Sequence, residues 1–83
     1  MSNQIVPRDL NGKVAEILLN RKHHLGVSYR SLETDTGINY MRIKRALDNE
    51  RAITLDDFED ICTALGLTSW EVIRRAKIES QSA

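Results

Sequence analysis

The residues of this chain best suited to chemistry are three basic side chains near its middle, Arg42, Lys44 and Arg45. Guanidinium and ammonium groups donate hydrogen bonds and carry the charge that phosphates and guanine edges attract. All three fall in one short predicted helix, at about residues 40–48. Two interpretations are open: a solvated helix face, or a surface that contacts an anionic partner. The elements that position this helix bear directly on that choice.

Charge is unevenly distributed along a chain that is neutral overall, with 12 basic and 12 acidic residues. Residues 21–51 hold seven basic and four acidic side chains, whereas residues 56–83 hold three basic and six acidic ones. A locally basic segment can present a positive surface to phosphates. The neutral total predicts weaker non-specific binding to nucleic acid than a strongly basic domain would show.

The apolar pattern predicts a compact all-α domain of five helices, because no segment alternates with the two-residue period of a strand. Helix 1 is expected at about residues 12–24, and helix 3 at about residues 40–48. Polar residues that can cap helix starts and glycines that can end helices punctuate the chain at short intervals. The caps are Asp9 or Asn11, Ser28, Asn39, Thr54 and Thr68, and the stops are Gly26, Gly37 and Gly66.

The two ends of the chain are expected to lie outside this domain. Residues 1–10 carry no periodic pattern, and Pro7 should stop a helix from running through them. Residues 79–83 form a polar tail. The domain itself is therefore placed at residues 11–78.

Apolar residues at helical spacing predict the core. Helix 4 shows the strongest such face, and helix 5 is expected to turn Trp70 and Ile73 inward, with Val72 and Ala76 as further candidates. The helix 4 face consists of Leu55, Phe58, Ile61, Cys62 and Leu65.

Several other kinds of chemistry lack their sequence signatures. There is no glycine-rich phosphate loop and no nucleophile elbow, so we expect no enzyme and no catalytic residues. His23 and His24 are adjacent and project about 100° apart on a helix, so we expect no metal, and no cofactor or small-molecule ligand is evident. The single cysteine, Cys62, and the lack of an apolar run or signal peptide predict a cytoplasmic protein that does not enter a membrane.

The stretch Ser28–Leu47 has the sequence shape of a helix-turn-helix, two short helices joined by a tight turn at Gly37. The second helix of such a unit can lie in the DNA major groove. Apolar and small residues inside this stretch and beyond it occur in an order and register that is typical of one known family. They are Leu32, Gly37, Ile38, Ile43, Leu55, Ala64, Leu65, Gly66 and Leu67.

On these residues, positions 12–76 resemble the lambda-repressor-like DNA-binding domains, also called the Cro/C1 or XRE type. The resemblance implies five helices, of which the second and third form the helix-turn-helix. Three positions depart from the family pattern: Glu33 replaces a small residue, Thr36 replaces an apolar one, and Leu47-Asp48-Asn49 replaces Glu-Asn-Gly. The first two predict a slightly opened angle between the helices. The third removes a glycine and places an acid near a phosphate position.

The resemblance implies that bases are read by Tyr40, Met41, Lys44 and Arg45. These four residues share one helix face, opposite the apolar positions of the same helix. Arg45 can contact guanine O6 and N7 in bidentate fashion, and Lys44 can reach a guanine or a phosphate. Tyr40 and Met41 can contact a thymine methyl group.

Phosphate contacts are expected from the start of helix 2, from helix 3 with its cap, and from the loop that follows. Asp48 and Glu50 would repel phosphates unless they point away or pair with Arg51. Tyr29 has an alternative interpretation as a core residue. The phosphate-contacting candidates are Tyr29, Arg30, Asn39, Arg42 and Arg51.

The predicted function is a sequence-specific transcriptional regulator, a phage repressor or Cro-like protein, that binds a palindromic double-stranded DNA operator as a homodimer. The dimer surface should come from helix 5 with the helix 3–4 loop, or from residues 1–10. Two DNA-binding alternatives stay open, an antitoxin that uses the acidic helices 4 and 5 for its partner and a recombination-directionality factor. A further alternative is a helical protein–protein module without DNA binding.

Overall fold

Five α-helices joined by short turns make up residues 5–81, the part of the chain that the computed structural model describes. No strand occurs in this range. The prediction of a compact all-α domain with five helices is therefore confirmed. The helices are α1 (Ile5–Leu25), α2 (Tyr29–Thr36), α3 (Tyr40–Leu47), α4 (Leu55–Ala64) and α5 (Ser69–Gln81).

Helix α1 begins at Ile5, seven residues before its predicted start, so residues 5–10 are helical and not irregular as predicted. Pro7 is the third residue of this helix. The first four N–H groups of a helix have no partner within it, so a proline costs little there. At the other end, α5 continues to Gln81 and takes up most of the predicted polar tail.

One core joins all five helices. Helix α1 packs against α5 and α3, while α2 packs against α3 and α4. Because α2, α3, α4 and α5 have 13 residues or fewer, burial of one apolar face against the neighbouring helices supplies most of their stability. The largest fully buried side chains are Leu18, Leu32, Ile43, Ile61, Leu65 and Cys62.

Two residues predicted for this core lie on the surface instead. Leu55 is 81% exposed and Trp70 is 63% exposed. Leu55 is the first residue of α4, ahead of the buried positions. Helix α5 buries Val72 and Ala76, and Trp70 lies about 200° around the helix from Val72. The prediction for Trp70 was wrong because the side of α5 that packs against α1 and α4 carries the smaller residues Val72 and Ala76.

The polar caps at three helix starts are confirmed. Ser28 Oγ accepts the Ser31 N–H at 3.0 Å, Asn39 Oδ1 accepts the Met41 N–H at 2.9 Å, and Thr54 Oγ1 accepts the Asp57 N–H at 3.1 Å. Asn11, which was one of the alternative caps for α1, lies inside that helix. Its amide instead accepts the Ile53 N–H at 3.3 Å and donates to Asn49 Oδ1 at 2.6 Å, which fastens α1 to the α3–α4 loop.

Candidate nucleic-acid interface

The turn between α2 and α3 fixes how the two helices meet. Gly37 has a φ of 79°, and its N–H donates to the Glu33 carbonyl at 2.7 Å. Thr36 Oγ1 donates to the Leu32 carbonyl at 2.7 Å and accepts the Ile38 N–H at 3.1 Å. Thr36 thus uses its hydroxyl to close the turn, which an apolar residue could not do. Helices α2 and α3 pack closely across it.

Helix α3 has one buried face and one exposed face. Ile43, Ala46 and Leu47 are buried in the core. On the other side, Met41, Lys44 and Arg45 are exposed and Tyr40 is half-buried. The structure therefore brings together the four residues predicted to read bases, on the surface side of a helix whose position the core determines.

Lys44 and Arg45 differ in their surroundings. Lys44 Nζ lies 2.8 Å from Asp48 Oδ2, one helical turn away, and this hydrogen bond and the carboxylate charge raise the pKa of Lys44. Arg45 forms no ion pair with any residue in the range 5–81. Arg45 is therefore free to donate hydrogen bonds to an acceptor on another molecule. Lys44 must first break its bond to Asp48, or bind Asp48 and the acceptor at the same time.

Arg30 connects the exposed surfaces of α2 and α3. Its guanidinium carbon lies 4.1 Å from the centroid of the Tyr40 ring, within cation–π range. The same side chain is 74% exposed and lies 4.0 Å from Glu33. A residue predicted to contact phosphate and one predicted to read bases thus form a single contact, with the Arg30 charge still open to solvent.

A second cation–aromatic contact lies at the start of α2. Lys22 Nζ is 4.2 Å from the centroid of the half-buried Tyr29 ring. Burial raises the pKa of Tyr29, the nearby Asp48 charge raises it further, and Lys44 opposes both. The sequence does not predict this contact, because nothing in the spacing of the buried Lys22 indicates that the end of α1 lies beside α2.

Arg42 turns towards α4. Its Nε donates to Asp57 Oδ2 at 2.7 Å, and the Asp57 side chain is only 13% exposed. The sequence assigned Arg42 to phosphates. Its pairing with Asp57, across 15 residues, follows only from the tertiary fold, in which α2 packs against both α3 and α4.

In the loop after α3, one residue that is not a glycine has a left-handed backbone conformation. Asn49 has a φ of 61°, a conformation that asparagine tolerates better than most residues. The Asn11 amide donates a hydrogen bond to the side chain of Asn49. Gly12 lies close to the same side chain, because a Cβ atom added at Gly12 would lie 3.2 Å from Asn49 Nδ2. Asparagine thus adopts here a backbone conformation that glycine takes up most readily. Glu50 and Arg51 follow and are exposed.

Two further sequence predictions concern absences. Within the described range, no group of three or more His, Cys, Asp or Glu side chains is arranged to hold a metal ion. No helix among residues 5–81 has the length and apolar character needed to cross a membrane.

The class that the fold defines is a compact five-helix all-α domain in which α2 and α3 pack closely. The sequence was compared with models of protein families and with curated proteins, and the structure with solved structures. None of these comparisons found a significant match.

Proposed function

We propose that this chain is a sequence-specific double-stranded DNA-binding regulator of transcription, similar to phage repressors and Cro proteins. In this proposal α2 and α3 act as a helix-turn-helix within a lambda-repressor-like domain, and α3 lies in the major groove. One observation carries it: the face of α3 opposite the core presents Tyr40, Met41, Lys44 and Arg45 together. The neighbouring helix adds the exposed charge of Arg30 on the same side.

Arg45 is the principal base-reading residue of this proposal. Its five donors suit the paired O6 and N7 acceptors of guanine, and no intramolecular ion pair within residues 5–81 competes for them. Met41 is 39% exposed at the first turn of α3 and offers an apolar contact for a thymine methyl group. Tyr40 is the first residue of α3, and its ring packs against the Arg30 guanidinium, so it forms the border of the proposed base-reading face.

Phosphate contacts surround this face. Arg30 supplies an exposed cation, and the first N–H groups of α2, beginning at Tyr29, have no acceptor within the helix. Lys22 is buried, so its ammonium over the Tyr29 ring supports the position of Tyr29 and makes no phosphate contact of its own. Asn39 and the exposed Arg51 complete the set. Arg42 contributes indirectly, because its bond to Asp57 connects α3 to α4.

A single helix in one groove reads few base pairs, so the proposal includes a homodimer on a palindromic site. Its half-sites would lie about 34 Å apart, which is one turn of DNA. Because each of the two domains reads one half-site, the dimer contacts more base pairs than a single domain can. Its specificity therefore rises without any new contact between either domain and its own half-site.

Selection of bound sequences from random duplexes tests the proposal. We expect an enriched palindromic site, and the Arg45→Ala variant should lose about 1–3 kcal/mol of binding free energy on it. On a scrambled duplex the same variant should lose much less. Lys13→Ala on α1 is the control, because it also removes one cation, but from outside the proposed surface.

Three results would contradict parts of this proposal. An equal loss on the selected and the scrambled duplex would show that Arg45 does not read bases. An affinity that barely changes with salt concentration would exclude multiple phosphate contacts. If no duplex binds at low salt, the domain is not a DNA-binding protein, and a helical protein–protein module becomes the better interpretation.

A further inference from the structure

Two neighbouring residues of α1, Asn11 and Gly12, lie against the loop that joins α3 to α4. The Asn11 side chain donates to Asn49 Oδ1 at 2.6 Å and accepts the Ile53 N–H at 3.3 Å. Asn49 lies at the beginning of this loop and Ile53 near its end. A single amide from another helix therefore binds the loop at two separate points.

Gly12 gives the loop the space to approach α1 this closely. A Cβ atom added at Gly12 would lie 3.2 Å from Asn49 Nδ2, which is tighter than ordinary van der Waals contact. A glycine inside a helix is destabilising relative to alanine, because it loses more conformational freedom on folding. Its presence within α1 is therefore explained by the space that the Asn49 amide occupies.

Asn49 connects these two α1 residues to the end of α3. Its N–H donates to the Ala46 carbonyl at 3.1 Å, and the next N–H, that of Glu50, donates to the Arg45 carbonyl at 2.8 Å. These bonds satisfy carbonyl groups that a helix end leaves without partners. The left-handed conformation on which they depend is less favourable for asparagine than for glycine, so contacts such as the bond from Asn11 are needed to hold it.

We infer that Asn11 and Gly12 are positioning residues for the proposed DNA surface. They act through Asn49, which holds the end of α3 and the following loop in one arrangement. The loop carries the exposed charges of Glu50 and Arg51, so a displaced loop changes how these charges meet phosphates. The inference rests on the proposed function for its effect on DNA, whereas the hold on the loop requires no ligand.

Amide hydrogen exchange of the free protein tests the hold on the loop. Asn11→Ala removes both bonds, so the Ile53 amide should exchange about fivefold faster. Asn11→Asp keeps an acceptor for Ile53 but offers no donor to Asn49, so only the Glu50 amide should exchange faster. Asn20→Ala, at an exposed asparagine of the same helix, is the control and should change neither amide. Unchanged exchange in Asn11→Ala would overturn the inference.

Fluorescence anisotropy titration with the selected duplex tests the effect on DNA. Gly12→Ala should weaken binding by about fivefold, because the added methyl group displaces the Asn49 amide and with it the loop. Combining Gly12→Ala with Asn49→Gly removes that amide, and glycine adopts the left-handed conformation without being held. This double variant, which keeps the bond from Ile53 to Asn11, should bind within about twofold of the wild type.

Urea unfolding establishes that each variant is fully folded at the temperature of the titration, so a loss of affinity reports the position of the loop and not the stability of the fold. The positioning role is refuted if Gly12→Ala binds as tightly as the wild type, or if Asn49→Gly does not restore its binding. Either result leaves the proposed function intact, because Arg45→Ala tests that separately. If the wild type binds no duplex, the proposed function itself fails, and the exchange of the loop amides still shows whether Asn11 holds the loop.

Discussion

The ion pair between Arg42 and Asp57 gives the sharpest test of how the candidate surface is held. Arg42 belongs to α3 and Asp57 to α4, and a 2.7 Å bond from Nε to Oδ2 joins them. The Arg42 side chain is 47% exposed, whereas the Asp57 side chain is 13% exposed. We predict that this pair positions α3 and that Arg42 contacts no phosphate in the complex with DNA.

The magnitude follows from the unequal burial of the two partners. Exposed ion pairs are worth about 0.2–1 kcal/mol, while removal of one partner of a buried pair costs about 3–5 kcal/mol. This pair lies between those limits. Arg42→Met should cost about 2 kcal/mol of unfolding free energy, because it leaves the Asp57 carboxylate without its cation in a poorly solvated place. Asp57→Asn should cost only about 1 kcal/mol, because an amide oxygen can still accept from Arg42.

Urea unfolding of the wild type, both single variants and the double variant yields the coupling energy, which we expect to be about 1 kcal/mol. Arg75→Met is the matched control. Arg75 Nε lies 2.9 Å from Glu79 Oε2, but both side chains are well exposed, at 64% and 38%. Its loss should cost about 0.5 kcal/mol or less. The comparison separates the effect of burial from that of the bond itself.

The same Arg42→Met variant then tests the assignment to phosphate. The slope of log affinity against log salt should equal that of the wild type, because the number of neutralised phosphates is unchanged. A slope smaller by about one unit would show that Arg42 contacts a phosphate, as the sequence suggested. A coupling energy within about 0.3 kcal/mol of zero would refute the positioning role of the pair.

Three further predictions concern residues near α3 and in the core. Asp48→Asn should bind DNA about threefold or more tightly in a fluorescence anisotropy titration, because it releases Lys44 and removes a charge that repels phosphate; unchanged affinity would place Asp48 away from the DNA. Asn49→Ala should be about 1–2 kcal/mol less stable to urea than Asn49→Gly, since alanine is strained at a φ of 61°, and equal stabilities would contradict this. Burial raises the pKa of the Cys62 thiol to about 11, whereas the unfolded thiol ionises near 9.0. Stability should therefore fall as pH rises from 9 towards 11, and this fall should be smaller in Cys62→Ala, as measured by urea unfolding at each pH.

Local signals in the sequence identified most of the secondary structure. Ser28, Asn39 and Thr54 cap their helices by bonds to residues two or three positions away, and Gly37 ends α2. Such contacts depend only on nearby residues, so spacing along the chain predicts them. The start of α1 differs from its prediction because Pro7 does not act as a stop: a proline in the first turn breaks no helical bond.

Long-range packing decided what local spacing left open. Whether α5 turns Trp70 or Val72 inward depends on the space that α1 and α4 leave, and the smaller residues fit there. The contacts of Arg42 with Asp57, Arg30 with Tyr40, and Lys22 with Tyr29 each join two different helices.

For the candidate surface, the sequence by itself determined which residues lie on the outer face of α3, because helical periodicity fixes that face once its apolar positions are known. Only the tertiary structure decided which charges on or beside that face are free. Asp57 binds Arg42 and Asp48 binds Lys44, which leaves Arg45 as the cation of α3 without an ion pair within residues 5–81. The physical reason is that ion pairs depend on distances in space, and the packing of α2 against both α3 and α4 sets the distance between Arg42 and Asp57.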